Sequence, residues 1–123
     1  MSPNPHLATV QAIYQAFGAG DIPALLDKLA PDVRWEAWAD NFAQRGGAPT
    51  FVERRGPDQV MAFFQLLGGL QIHGFQVLDV LAGERQAAAE VTIDLTVPST
   101  GYRYRDEELH LWTFDAAGRV SRF

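Results

Sequence analysis

The sequence predicts an α+β fold, with three N-terminal helices packed on a curved antiparallel sheet. Three observations carry this. Two short amphipathic segments, each punctuated by glycine or proline, open the chain, and a third follows Pro57. From Leu70 onward, apolar and polar residues alternate between turn signals.

In the first helix Leu7, Val10, Ile13, Tyr14 and Phe17 recur at three- and four-residue spacing, which puts them on one face. Gly18 and Gly20 are expected to end it in the left-handed conformation that glycine enters without steric cost. Asp21 is the predicted N-cap of the second helix, with Pro23 in its first turn, where a missing N–H costs nothing. Leu25, Leu26 and Leu29 supply its apolar stripe, and Pro31 is expected to stop it. Val33, Trp35 and Ala37 then alternate with Arg34, Glu36 and Trp38, the period-two pattern of a strand.

A long irregular stretch, Ala39 to Arg55, follows. Gly46, Gly47 and Pro49 supply hinges and Phe42, Phe51 and Val52 supply apolar contacts, so a lid or mobile rim is expected. Pro57 opens the third helix, with Val60, Phe63, Phe64 and Leu67 as one stripe and Gly68-Gly69 as its end. The predicted strands run from Ile72 to Leu81, through Ala89–Val97 with one apolar face, and from Tyr102 to Phe114. Turns at Ala82–Arg85, Pro98–Gly101 and Asp115–Gly118 separate them and leave a short final strand.

The 123 residues suit one domain, 1–123, able to bury roughly two thirds of its unfolded surface. A net charge of −5 argues against nucleic acid as a partner, because a phosphate backbone needs a basic surface. Arg54-Arg55 and Arg103/Arg105 are pairs, not a stripe. There is no cysteine, hence no disulfide and no thiolate chemistry. No apolar run approaches the roughly 20 residues of a membrane-spanning helix, and the first residues lack the pattern of a signal peptide. A cytoplasmic protein with no membrane partner is the expectation. His6, His73 and His110 stand apart without metal-ligand spacing, and no glycine-rich phosphate loop occurs. Neither a metal nor a cofactor is expected.

Several runs carry a resemblance: Tyr14-Gln15-Ala16-Phe17, the Ala19-Gly20-Asp21 turn, and Leu29-Ala30-Pro31-Asp32-Val33-Arg34-Trp35. Leu109-His110-Leu111-Trp112-Thr113-Phe114, with the hairpin after it, and Gly56-Pro57-Asp58-Gln59-Val60 with Phe63-Phe64 add to it. Together they resemble the SnoaL-like and ketosteroid-isomerase-like proteins of the nuclear transport factor two superfamily. The resemblance implies a cone with an internal pocket. It leaves the chemistry open, because one scaffold hosts many activities.

Ketosteroid isomerases use an aspartate base with an oxyanion hole of a tyrosine and a protonated aspartate. Position by position the aspartate base falls at Ala37, the tyrosine at Ile13 and the protonated aspartate at His110, so all three are changed and that mechanism is not expected here. Tyr14 lies one step from the tyrosine position, rotated about 100° around the helix, and Asp40 lies three residues beyond Ala37. SnoaL-type polyketide cyclases, which place a polar pair in the cone for proton abstraction beside a carbonyl, are the closer analogy.

The candidate catalytic residues are His110 and Glu108. Strand alternation sets Asp106, Glu108, His110, Trp112 and Phe114 on one face. If Trp112 and Phe114 face the cone, the histidine and carboxylate do too, and two polar groups on an aromatic wall need a partner. Same-face neighbours about 6.5–7 Å apart allow Glu108 to orient the His110 ring for acid–base work. The plainer alternative is a hydrogen bond that only satisfies both groups.

Tyr14, Trp35, Trp38, Phe64 and Trp112 are candidates to bind an apolar substrate, with simple core packing as the alternative. His73 is expected to be structural or exposed, and His6 to lie in a frayed terminus. Leu109, Leu111 and Thr113 face away from the presumed pocket and predict a homodimer through the outer sheet face.

The function expected is a small cofactor-free enzyme of acid–base type, cyclase- or isomerase-like, acting on a small hydrophobic metabolite. The alternatives are a non-catalytic small-molecule binding module and a dimeric interaction domain.

Overall fold

The computed structural model describes residues 4–36, 45 and 48–123. Helix α1 (Pro5–Gly18) starts at Asn4, whose side-chain oxygen accepts from the backbone N–H groups of His6 at 2.9 Å and Leu7 at 3.4 Å. It ends through Gly20, which takes a φ of 72°. Gly18 remains helical, so only one of the two predicted terminal glycines is conformationally required.

Asp21 caps α2 (Ile22–Leu26), accepting from the Ala24 N–H at 3.2 Å. This helix is shorter than its apolar stripe suggests, because Leu29 and Pro31 belong to β1 (Leu29–Trp35). Pro31 is tolerated there since the register of β1 against its neighbour is interrupted between Leu29 and Arg34.

A 3-10 turn (Pro49–Phe51) and the two-residue strand β2 (Arg54–Arg55) lead into α3 (Gly56–Gly68). The Gln59 side chain accepts from the Arg55 N–H at 2.7 Å and closes the helix start. Gly56 has a φ of 77°, and a Cβ there would sit 3.3 Å from the Pro31 carbonyl oxygen, so this entry point admits only glycine comfortably. Of the expected lid, residues 39–44, 46 and 47 lie outside the described residues, as do Ala37 and Trp38.

Strands β3 (Gln71–Ala82), β4 (Gln86–Val97), β5 (Tyr102–Phe114) and β6 (Val120–Arg122) follow. The sheet order is β2-β1-β6-β5-β4-β3, an open sheet. From β3 to β6 every pairing is antiparallel, as the alternating segments predict. The sheet as a whole is mixed, because β1 joins β6 in parallel. Local alternation carries no information on that long-range pairing.

Val10 and Ile13 of α1, Leu25 of α2 and Val60 of α3 pack on Leu29, Val33 and Trp35 of β1 and on Trp112, Phe114 and Val120. Helices thus cover one sheet face, and Leu78, Leu81 and Leu109 stay exposed. The start of α1 is tied down rather than frayed. The His6 ring stacks on Phe114 with centroids 4.1 Å apart, and its Nε2 lies 2.8 Å from the Glu84 carbonyl oxygen. Asn4 holds the Gly83 carbonyl at 3.2 Å. Among the described residues no helix is long and apolar enough to cross a membrane.

Candidate functional site

Helix α1 carries Tyr14 one residue after the buried Ile13, so its side chain leaves the core and leans over β5. There it meets the polar residues of the long strand. The Tyr14 hydroxyl lies 2.6 Å from His110 Nδ1 and accepts from the Trp112 indole N–H at 3.2 Å. His110 Nε2 in turn lies 3.3 Å from Glu108 Oε1. Strand alternation aligns Glu108, His110 and Trp112, as the sequence predicts, and α1 adds the fourth member.

Donor and acceptor chemistry orders this chain. A carboxylate only accepts, so Glu108 takes the Nε2–H of a neutral His110 and leaves Nδ1 unprotonated. Nδ1 then accepts the Tyr14 hydroxyl hydrogen, and the Tyr14 oxygen accepts from the Trp112 indole N–H, which only donates. Each group donates to the next, in one direction, from Trp112 to Glu108. Burial raises the Tyr14 pKa well above that of an ordinary phenol. The Trp112 hydrogen bond lowers it in part, and the Glu108 charge raises it further. Tyr14 is therefore held as a neutral phenol that donates a proton.

A cavity of about 580 Å³ lies between α1, α3 and β3, beside this chain. Tyr14, Phe17, Phe64, Leu67 and Phe75 line it, with Ile22, Ile72, Val77, His73 and four glycines. Tyr14 is the one member of the polar chain on that wall; His110 and Glu108 stand behind it.

Among the residues named from sequence as substrate contacts, Tyr14 and Phe64 are on the cavity wall. Trp35 and Trp112 are buried in the core instead. The reason is Phe123, whose ring stacks on Trp35 at 4.1 Å and lies 4.5 Å from Trp112 and 5.1 Å from His110. It fills the space both indoles would otherwise face. Trp38 lies outside the described residues. His73 is exposed, as expected, and meets the Thr96 hydroxyl at 2.8 Å, but it also reaches the edge of the cavity.

Sequence reading missed Phe75 and the Tyr14–His110 bond. Phe75 lies just beyond a register shift between Ile72 and Gly74 on β3, which breaks the alternation that would have assigned it a face. The Tyr14–His110 bond spans 96 positions, and no local pattern reports such a pairing.

The model of the SnoaL-like domain matches residues 10–123. Among solved structures, an NTF2-like protein of unknown function from Burkholderia pseudomallei superposes with a TM-score of 0.80 at 24% identity, covering 98% of this chain and 88% of that one. An NTF2-like protein from Burkholderia thailandensis gives a TM-score of 0.81 at 22% identity, over 99% of this chain and 88% of that one. A Mesorhizobium loti protein described as a candidate SnoaL-like polyketide cyclase gives a TM-score of 0.71 at 20% identity, over 94% and 93%. No curated protein matches the chain. With the family model spanning nearly its whole length and these folds superposing on its helices and sheet, the chain belongs to the SnoaL-like domain family.

Proposed function

We propose that this protein is a general acid–base catalyst that moves protons beside a carbonyl in a small apolar molecule held in the cavity. The observation that carries the reading is the one-way chain Trp112–Tyr14–His110–Glu108, which brings a single hydroxyl to an apolar wall. The SnoaL-like family and its polyketide-cyclase-like fold relatives support the same class of chemistry.

In this reading the Tyr14 oxygen meets the substrate and His110 stores the proton. As a carbon acid loses a proton to the Tyr14 oxygen, the phenolic proton moves across 2.6 Å to His110 Nδ1. The enolate forms, the imidazole becomes an imidazolium, and the Glu108 carboxylate at Nε2 stabilises that charge. Reversal returns the proton, to the same carbon or another. Concerted transfer avoids a free phenolate, which the buried setting of Tyr14 disfavours.

Proton exchange tests this directly. Incubated in deuterium oxide with β-tetralone, a bicyclic ketone with acidic α-hydrogens, the protein should speed loss of the α-proton signal over buffer. His110→Ala should remove the acceleration. Exchange no faster than buffer, or unchanged in His110→Ala, counts against the reading.

A second reading, a binding module without turnover, is favoured by one observation: His110 does not itself reach the cavity wall. There Tyr14 would serve only as a polar anchor.

We also propose that two copies pair through the outer sheet face. Leu81 and Leu109 are 70% and 65% exposed, and Ala88 lies between Leu81 and Leu111 in the strand register. An apolar patch of this kind favours a partner surface.

A further inference from the structure

We propose that ligands reach the cavity through a glycine-rimmed mouth between the C-terminal ends of α1 and α3, and that this mouth prefers neutral or cationic ligand ends over anionic ones. The proposal rests on the cavity's being a ligand site, but not on any catalysis there.

The exposed members of the cavity wall are Gly18, Gly20, Gly68, Ile72 and His73, whereas Tyr14, Phe17, Phe64 and Phe75 are half-buried. The opening therefore lies at the two helix ends and the start of β3. Gly20 is accounted for by its φ of 72°. Gly18 and Gly68 are not. Both are helical, neither has a positive φ, and a Cβ built on either meets no atom within 4 Å.

Neither the backbone nor packing needs a glycine at those two positions, and in a helix glycine is less stable than alanine. What they share is the rim of one cavity. A side chain at either position would project into open space, and that space is the entrance.

The helix ends make the rim negative, and among its described residues only the His73 imidazole can become cationic. Helices of 14 and 13 residues end there, each presenting the partial negative charge of its last carbonyls. Neither has a basic residue in its last turn to offset it. Asp21 adds a carboxylate beside Gly20, and no lysine or arginine is among the described lining residues. With His73 neutral, a carboxylate or sulfonate at the mouth meets repulsion and no counter-ion among the described lining residues. A neutral or amine-bearing end does not.

Two fluorescent probes sharing one aromatic framework, N-phenylnaphthylamine and its sulfonated form, anilinonaphthalene sulfonate, separate the parts of the proposal at mildly alkaline pH. The neutral probe should bind the wild-type protein at least about tenfold more tightly, from two helix termini and a carboxylate acting together. Gly18→Leu with Gly68→Leu should weaken the neutral probe by about tenfold or more, while the thermal midpoint holds or rises. Single Gly→Ala variants, which suit a helix better than the native residue, should show smaller losses in the same direction. Equal binding of the two probes overturns the charge preference. Unchanged affinity in variants with native midpoints overturns the mouth. Failure of the neutral probe to bind the wild type overturns the ligand site and the mouth with it. A protein that binds the probe as expected yet shows no proton exchange supports the mouth and removes only the catalytic reading.

Discussion

The Tyr14 hydroxyl and His110 Nδ1 stand 2.6 Å apart across the junction of α1 and β5, and this one bond joins a helix residue to a strand residue 96 positions later. Because the Glu108 carboxylate only accepts, the neutral His110 carries its hydrogen on Nε2, and the Tyr14 hydroxyl therefore donates to the unprotonated Nδ1. The arrangement makes Tyr14 the most informative position to change.

Tyr14→Phe keeps the ring and removes only the oxygen. The Trp112 N–H and His110 Nδ1 then both lose their partner in a largely buried place. The expected cost is about 1–3 kcal/mol, a fall of several degrees in thermal midpoint. An unchanged midpoint would mean the chain contributes nothing to the fold.

Tyr14 also predicts a pH dependence. Its pKa is raised, first by burial, so the folded state holds the phenolic proton more tightly than the unfolded chain. The stability this gives is fully present below the ordinary phenol pKa of about 10 and is lost as pH rises above it. Ultraviolet titration should show one fewer late-ionising tyrosine in Tyr14→Phe than in the wild type, the remaining one being Tyr104, whose pKa burial also raises.

Asp94 gives a prediction at the other extreme. The Arg103 side chain donates to both of its carboxylate oxygens, at 2.9 and 2.8 Å, and Arg105 adds a third bond at 3.2 Å. The hydrogen bond from Arg103 is the main cause that lowers its pKa from 3.8 to about 2. A lowered carboxylate pKa stabilises the fold above the unfolded value and stops doing so as pH falls through the folded one. In Arg103→Gln the Asp94 midpoint, followed by carboxyl carbon NMR, should move back up toward 3.8.

The outer sheet face is tested by charge. Leu109→Glu places a carboxylate beside Glu90, its cross-strand partner, in the proposed interface. Light scattering should show the wild type as a dimer at micromolar concentration and the variant as a monomer, with secondary structure retained. A monomeric wild type contradicts the pairing.

The sequence by itself determined the elements and the faces they show. Period-two alternation placed β5 at Tyr102–Phe114 and set Glu108, His110 and Trp112 on one side of it, because side chains alternate whatever the strand pairs with. Punctuation by Asp21, Pro57 and Gly20 marked the helix ends, because these are local steric and hydrogen-bonding preferences. The same local rules overreached at Gly18, which stays helical without the left-handed backbone expected of it.

Only the tertiary structure decided what the faces meet. It put Phe123 between Trp35 and Trp112, turning two expected pocket residues into core, and it moved the cavity to the far side of Tyr14. It joined β1 to β6 in parallel and carried Tyr14 to His110. These are contacts between segments far apart in sequence. Their geometry depends on how whole elements pack and on the loop closures that bring them together, and neither periodicity nor capping encodes it.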